Sequence, residues 1–213
     1  MKTWLIFNSE TGEVIKKKTS PETSKLNLVL APGEDAIEAD LSGVYVDITT
    51  VRPVPFPAKP SPHHDWDWAT KSWLPNLDAA KAAKKTEIEA ERNSRINEPL
   101  IYDGKVLDAD QAARDNLKAK LEEVRERIRL NMPMAPELLV WRDNANVTHS
   151  WPTIEAYHDW LAGYAVAMSD RGTRCYACAW HHKDVLKEAN DPNEQPWTVE
   201  SILAYDLSQG WPI

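Results

Sequence analysis

Along the first fifty residues, apolar positions fall in short runs or alternate with polar ones, the period of half-buried strands. "TWLIF" is continuously apolar, "NSETGE" supplies turn residues and "VIKKKTS" carries a polar face, which predicts a hairpin over Thr3–Thr19. "LNLVL" and "GVYVDIT" read as further strands, with "APGED" and "DLSG" as the turns between them. Residues 1–52 are therefore expected to form a small antiparallel β-domain of about four strands.

At residue 53 the alternation stops. Pro53, Pro55, Pro57, Pro60 and Pro62 fix φ and remove backbone donors, so this stretch is expected to run extended, close to polyproline II. With the "HHDWDWATKSW" that follows, residues 53–74 read as a Pro/Trp-rich, semi-rigid linker.

Beyond it the period lengthens. An Ala/Lys/Glu-rich helix starts around Asn76–Asp78, and Asp103-Gly104 marks a hairpin between apolar flanks. Asp108 and Gln111 resemble a capping box ahead of a helix whose face is Leu117, Leu121, Val124 and Ile128. A second hairpin turns at Asn144–Asn146, and Thr153 opens another helix. On that helix Ile154, Leu161, Met168, Cys175 and His182 recur at heptad spacing, with Tyr157, Tyr164, Cys178 and Val185 as companions. A break or kink is expected at Arg171–Gly172, and Thr198 caps a short last helix. The fold class is thus expected to be α+β: a small N-terminal antiparallel β-domain, a proline-rich linker, and a C-terminal helix–hairpin–helix–hairpin–helix unit over residues 75–213. No internal repeat stands out at solenoid periods.

Composition narrows the function. With 33 acidic against 25 basic residues the net charge is −8, and no cluster of Lys and Arg offers a surface for nucleic acid. No apolar run suits a membrane span, and the N-terminus turns polar too soon for a signal peptide, so a cytoplasmic origin is expected. The 10 Trp outnumber the 6 Tyr and 2 Phe, a bias that suits contacts between packed units. "CYACAWHH" offers Cys175, Cys178 and His181 or His182 as metal ligands, with His149 or His158 as a fourth. Both cysteines fall on a helical apolar seam, however, and the reading adopted is that these are core residues and that no metal is held. "HHDWD" offers His63, His64, Asp65 and Asp67, which in an extended segment diverge and read as surface. The carboxylates of "EIEAE" and "LEEVRERI" alternate with basic residues at helical spacing and read as solvated faces. No phosphate loop, G-x-S-x-G or H-E-x-x-H is present, so no enzyme and no cofactor are expected.

The order of the pieces resembles a family of bacteriophage tail-fibre-associated proteins, related to tail-fibre assembly proteins. The resemblance rests on the opening "FNSETGEVI", then "GVYVDITTVRPVPFPAKPSPHHDWDWATKSW", "YDGKVLDADQAARDNL", "LVWRDNANVTHSWPTIEAYHDWLAGYA" and the ending "ILAYDLSQGWP". The segment "EVRERIRLNMPMAPE" departs from it. The resemblance implies a non-enzymatic part of the tail-fibre or baseplate system, made in the host bacterial cytoplasm and carried in the virion tail. The alternative is an assembly chaperone absent from the mature virion, and more remotely a small metal-dependent enzyme built on the Cys/His cluster. Partners would be tail-fibre or baseplate proteins, with homo-oligomerisation compatible, and neither nucleic acid nor membrane. Trp66, Trp68 and Trp73, together with Tyr157 and Trp160, are the candidate partner-binding residues. Each could instead close the core of its own unit.

Overall fold

The structure is a computed structural model that describes residues 1–21 and 24–212. Glu22, Thr23 and Ile213, which the expected domain spans include, lie outside the described residues. The protein is mixed α/β, with antiparallel strands first and helices after them. It divides into two compact units, Met1–Ala79 and Ala80–Ile213.

The first unit begins with β1 (Lys2–Asn8), β2 (Val14–Ser20) and β3 (Glu34–Glu38), which form one antiparallel sheet in the order β2-β1-β3. The apolar run of β1 follows from its central place: Trp4 and Ile6 pack with Leu28 and Ala36, and Leu5 and Phe7 on the other face are also buried. The sequence expectation fails at "LNLVL". Lys25–Asn27 is a 3-10 turn started by the Ser24 hydroxyl, which accepts from Leu26 N at 3.3 Å. The third strand is instead the polar-looking "EDAIE", which as an edge strand needs to bury little more than Ala36.

Two hairpins complete this unit, β4 (Val44–Asp47) with β5 (Arg52–Pro55), and β6 (His64–Asp67) with β7 (Ser72–Pro75). The residues expected as an extended spacer, 53–74, are therefore largely strand and belong to the first unit. Spacing explains how prolines enter a ladder. Phe56 N donates to Gly43 O at 3.2 Å, and Val54 and Arg52 share its parity. Pro53 and Pro55 then fall on the alternate, non-hydrogen-bonded pairs, where no N–H is required.

Three turns of the unit share one construction. Asn8, Asp47 and Asp67 are each followed three residues on by Thr (Thr11, Thr50, Thr70) and then by a residue at positive φ: Gly12 at 80°, Val51 at 51° and Lys71 at 53°. In each the first side chain accepts from the turn. Asn8 Oδ1 takes Thr11 N at 3.0 Å, Asp47 Oδ2 takes Thr50 Oγ1 at 2.8 Å, and Asp67 Oδ2 takes Thr70 N at 2.8 Å. These bonds hold the Asp47 and Asp67 carboxyls below the usual range, the Thr49 backbone N–H being the largest cause for Asp47 and the Thr70 hydroxyl for Asp67. Gly12 is also needed for space, since a Cβ there would lie 1.9 Å from Val46 O.

The second unit is strung on one long helix. Its elements are α1 (Leu77–Asn97, its first turn still in the first unit), the hairpin β8 (Leu100–Tyr102) and β9 (Lys105–Leu107), and α2 (Gln111–Arg129). The hairpin β10 (Val140–Arg142) and β11 (Thr148–Ser150), α3 (Ile154–Val185) and α4 (Val199–Ala204) complete it. Asn76 Oδ1 accepts from Ala79 N at 2.8 Å and starts α1; Thr153 and Thr198 cap α3 and α4. The cap of α2 is Asp110, which accepts from Ala113 N, and not the expected Asp108. Asp108 lies two residues too early and instead accepts from Asn144 Nδ2 at 2.5 Å. The expected break at Arg171–Gly172 is absent: α3 runs unbroken for 32 residues.

Two cores share that helix. Its N-terminal half packs through Tyr157, Trp160, Leu161 and Tyr164 against Leu117 and Val124 of α2 and Leu100 and Leu107 of the first hairpin. Its C-terminal half packs through Cys175, Cys178 and Ala179 against Ala80 and Ile88 of α1, Val199 and Ile202 of α4, and Trp197 and Trp211. Lys84 is only 4% exposed, and its Nζ donates to Leu203 O at 2.8 Å at the C-terminus of α4.

Candidate interaction surface

The two hairpins of the first unit gather five rings. Trp66 is central, with its ring 5.5 Å from Tyr45, 4.8 Å from Phe56, 6.1 Å from Trp68 and 5.2 Å from Trp73. Most contacts are tilted or edge-to-face, the arrangement that ring quadrupoles favour. All five residues remain partly exposed, so the cluster is a wall and not a closed core. Lysines flank it: Lys71 Nζ lies 4.8 Å from the centre of Trp68, and Lys59 Nζ 5.2 Å from that of Trp73. Trp73 Nε1 donates to Pro57 O at 2.9 Å, which ties the proline-rich connection to the second hairpin. Trp66 Nε1 is buried with no acceptor, an unfavourable arrangement at the centre of the wall.

The wall is built by a repeat that sequence reading missed. Asp47, Thr50 and Pro55 of one hairpin recur as Asp67, Thr70 and Pro75 of the next. The signal was present in the sequence as two D-x-x-T stretches each closed by Pro, but two copies do not make a solenoid array. Strand parity then puts Trp66 and Trp68 of "WDW" on one side. His64 is buried, with Nδ1 2.9 Å from Ser61 Oγ, and Asp65 Oδ2 accepts from Asn76 Nδ2 at 2.5 Å. The His64, Asp65 and Asp67 side chains thus serve the hairpin and its neighbours.

Tyr157 and Trp160, the other candidate partner contacts, lie elsewhere and in a different environment. Tyr157 is fully buried, its hydroxyl donates to Val140 O at 2.7 Å, and burial pushes its pKa up to about 12, with Glu123 adding to the shift. Trp160 is 6% exposed and packs on Trp151 at 4.4 Å and Tyr164 at 5.6 Å. The reading of these two as exposed contact residues gives way to the alternative that the sequence also allowed: α3 turns both into the core of its own unit.

Cys175, Cys178 and His182 are core residues as well. Burial pushes both thiols up, against the opposing pull of Arg171 and Arg95 at Cys175, so neither is poised as a thiolate. Both ring nitrogens of His182 are engaged, Nδ1 with Tyr205 Oη at 2.9 Å and Nε2 with Gln209 O at 3.1 Å. A carbonyl can only accept, so Nε2 carries the proton and Nδ1 accepts from Tyr205. Burial, as the largest cause, holds this imidazole below its usual pKa. Among the described residues no three His, Cys, Asp or Glu side chains converge as a metal site. Among them, too, no helix is long and apolar enough to cross a membrane.

No curated protein and no solved structure matches the chain. Residues 79–204, more than half of its length, match the family described as a domain of unknown function, DUF4376, and the protein belongs to that family.

Proposed function

We propose that the protein is a non-enzymatic structural component of a bacteriophage tail-fibre or baseplate system that binds other tail proteins. The observation that carries this reading is the aromatic wall: five partly exposed rings on two short hairpins, flanked by Lys59 and Lys71. Interfaces concentrate Trp and Tyr at their centres, and such rings contribute large apolar area at low conformational cost. The resemblance of the ordered motifs to tail-fibre-associated proteins supplies the class of partner. The second unit, read as a helix–hairpin–helix–hairpin–helix scaffold, carries the DUF4376 match and would present a second binding face. Residence in the virion tail follows from this reading.

Quantitative mass spectrometry of purified virions tests it, together with co-purification of the fibre protein with wild type and Trp68→Ser. Stoichiometric presence in virions, with fibre binding weakened by Trp68→Ser, is the expected outcome. Fibre binding without presence in virions would assign the assembly-chaperone role. Neither fibre binding nor presence in virions would discard the reading.

A further inference from the structure

α3 contains two glycines with opposite explanations. At Gly163 a Cβ would sit 1.9 Å from the Tyr102 hydroxyl, so packing requires the missing side chain. At Gly172 a Cβ would meet nothing within 4 Å. A glycine inside a helix is destabilising relative to alanine, and among the described residues no packing neighbour requires the missing side chain at Gly172. Gly172 sits where the two cores of the second unit meet, and its bare backbone lines a groove of about 670 Å³.

That groove is bordered by the end of α1, the first half of α2 and the middle of α3. Its apolar lining includes Ile96, Leu117, Leu121 and Met168. Its only charged lining residues are Arg114 and Lys118, in a chain whose net charge is −8. Arg114 is occupied, donating to Ala109 O at 2.7 Å and to Asn97 Oδ1. Lys118 has no hydrogen bond or ion pair among the described residues. The neighbouring carboxylate, Asp115, is held by Gln111 Nε2 at 2.9 Å. From Ala165 to Tyr176 the α3 wall is about 17 Å long, some three helical turns.

We propose that this groove docks an acidic amphipathic helix of a partner protein, seated against the bare backbone at Gly172 with its carboxylates toward Lys118. The occupant's chemistry follows from the lining: an apolar face for the floor, negative charge for the one free cation of the rim, and close backbone approach where the glycine lies. The inference deepens the partner-binding reading and rests on it. Virion content tests that reading and the groove is tested separately, so either can fail alone.

The probe is a fluorescein-labelled, alanine-based helical peptide with Leu at i, i+4, i+7 and i+11 flanked by Glu, compared with a twin carrying Lys for each Glu. Fluorescence anisotropy with the full-length protein should give saturable binding of the Glu peptide below about 1 mM. The Lys twin should bind at least tenfold more weakly (on the order of one charge-pair inversion), and Lys118→Glu should reverse that preference. Gly172→Leu, which the open space tolerates, should abolish binding. Gly172→Ala should raise the melting temperature by about 2–4 °C while weakening the peptide. The proposal is overturned if neither peptide saturates, if the twins bind alike, or if Gly172→Leu leaves binding intact. A fall in melting temperature with Gly172→Ala would give the glycine a structural role instead. Binding of dodecanoate without the peptide would assign the groove to a small amphiphile and equally overturn it.

Discussion

The two aromatic clusters use the same side chains in opposite ways. In the second unit Trp160, Tyr157 and Tyr164 are buried on a long helix, and each tyrosine hydroxyl has a backbone carbonyl acceptor, Val140 O and Asp108 O. In the first unit Tyr45, Phe56, Trp66, Trp68 and Trp73 lean on one another across two short hairpins and stay partly exposed. A helix of 32 residues can enclose its rings because hairpins and α2 cover its face. The rings of the two hairpins pack mainly on one another, so they end as a wall. Trp content alone therefore says nothing about where a protein binds. The covering elements decide.

The largest test of that contrast is a matched pair of substitutions. Trp160→Ala should cost about 3–5 kcal/mol and melt the second unit, whereas Trp68→Ala should cost only about 1–2 kcal/mol. Denaturant titration of both variants checks it, and similar costs would erase the distinction between core and wall. A smaller effect of opposite sign separates the three turns. Val51 is a β-branched residue at φ 51°, where glycine or asparagine is at ease. Val51→Gly should stabilise by about 0.5–1 kcal/mol after the added entropy of the unfolded chain. Lys71→Gly should gain less, because it forfeits the contact of Lys71 with Trp68. A destabilised Val51→Gly protein would show that the side chain is needed where it stands.

The smallest effect is a pH slope belonging to the second unit alone. His182 is held below its usual pKa by burial, so the unfolded chain takes up the proton first as pH falls through about 6.5. Stability contributed by the neutral imidazole is complete above that pH and declines below it, until the folded imidazole is protonated too. Calorimetry between pH 8 and pH 5 should show the transition abolished by Trp160→Ala moving downward with acidification. His182→Asn should flatten that slope, and an unchanged slope would place its origin in another group.

Much of the second unit was legible because its signals are local. Thr153, Thr198 and Asn76 act within one turn of their helices, and Asp103-Gly104 supplies both positive φ values its hairpin needs, 51° and 70°. The failures share a cause, which is that pairing across distance is not written in one segment. "LNLVL" looks like a strand but turns as a 3-10 segment capped by Ser24, while "EDAIE" supplies the strand that pairs with β1. Gly172 reads as a helix breaker, yet packing on both sides of it carries α3 straight through.

The proline tract shows where the division lies. The residue order alone sets which backbone N–H groups are missing, and the two-residue spacing of Pro53 and Pro55 leaves every second donor intact. It also determined the turns, through Asn8, Asp47 and Asp67, because those bonds close within a few residues. It takes the assembled fold to bring the intact donors to β4, to set the rings of the second hairpin against those of the first, and to turn Trp160 inward while Trp68 stays partly exposed. A local hydrogen bond is specified by the residues that make it, whereas burial is specified by whatever else arrives to exclude water.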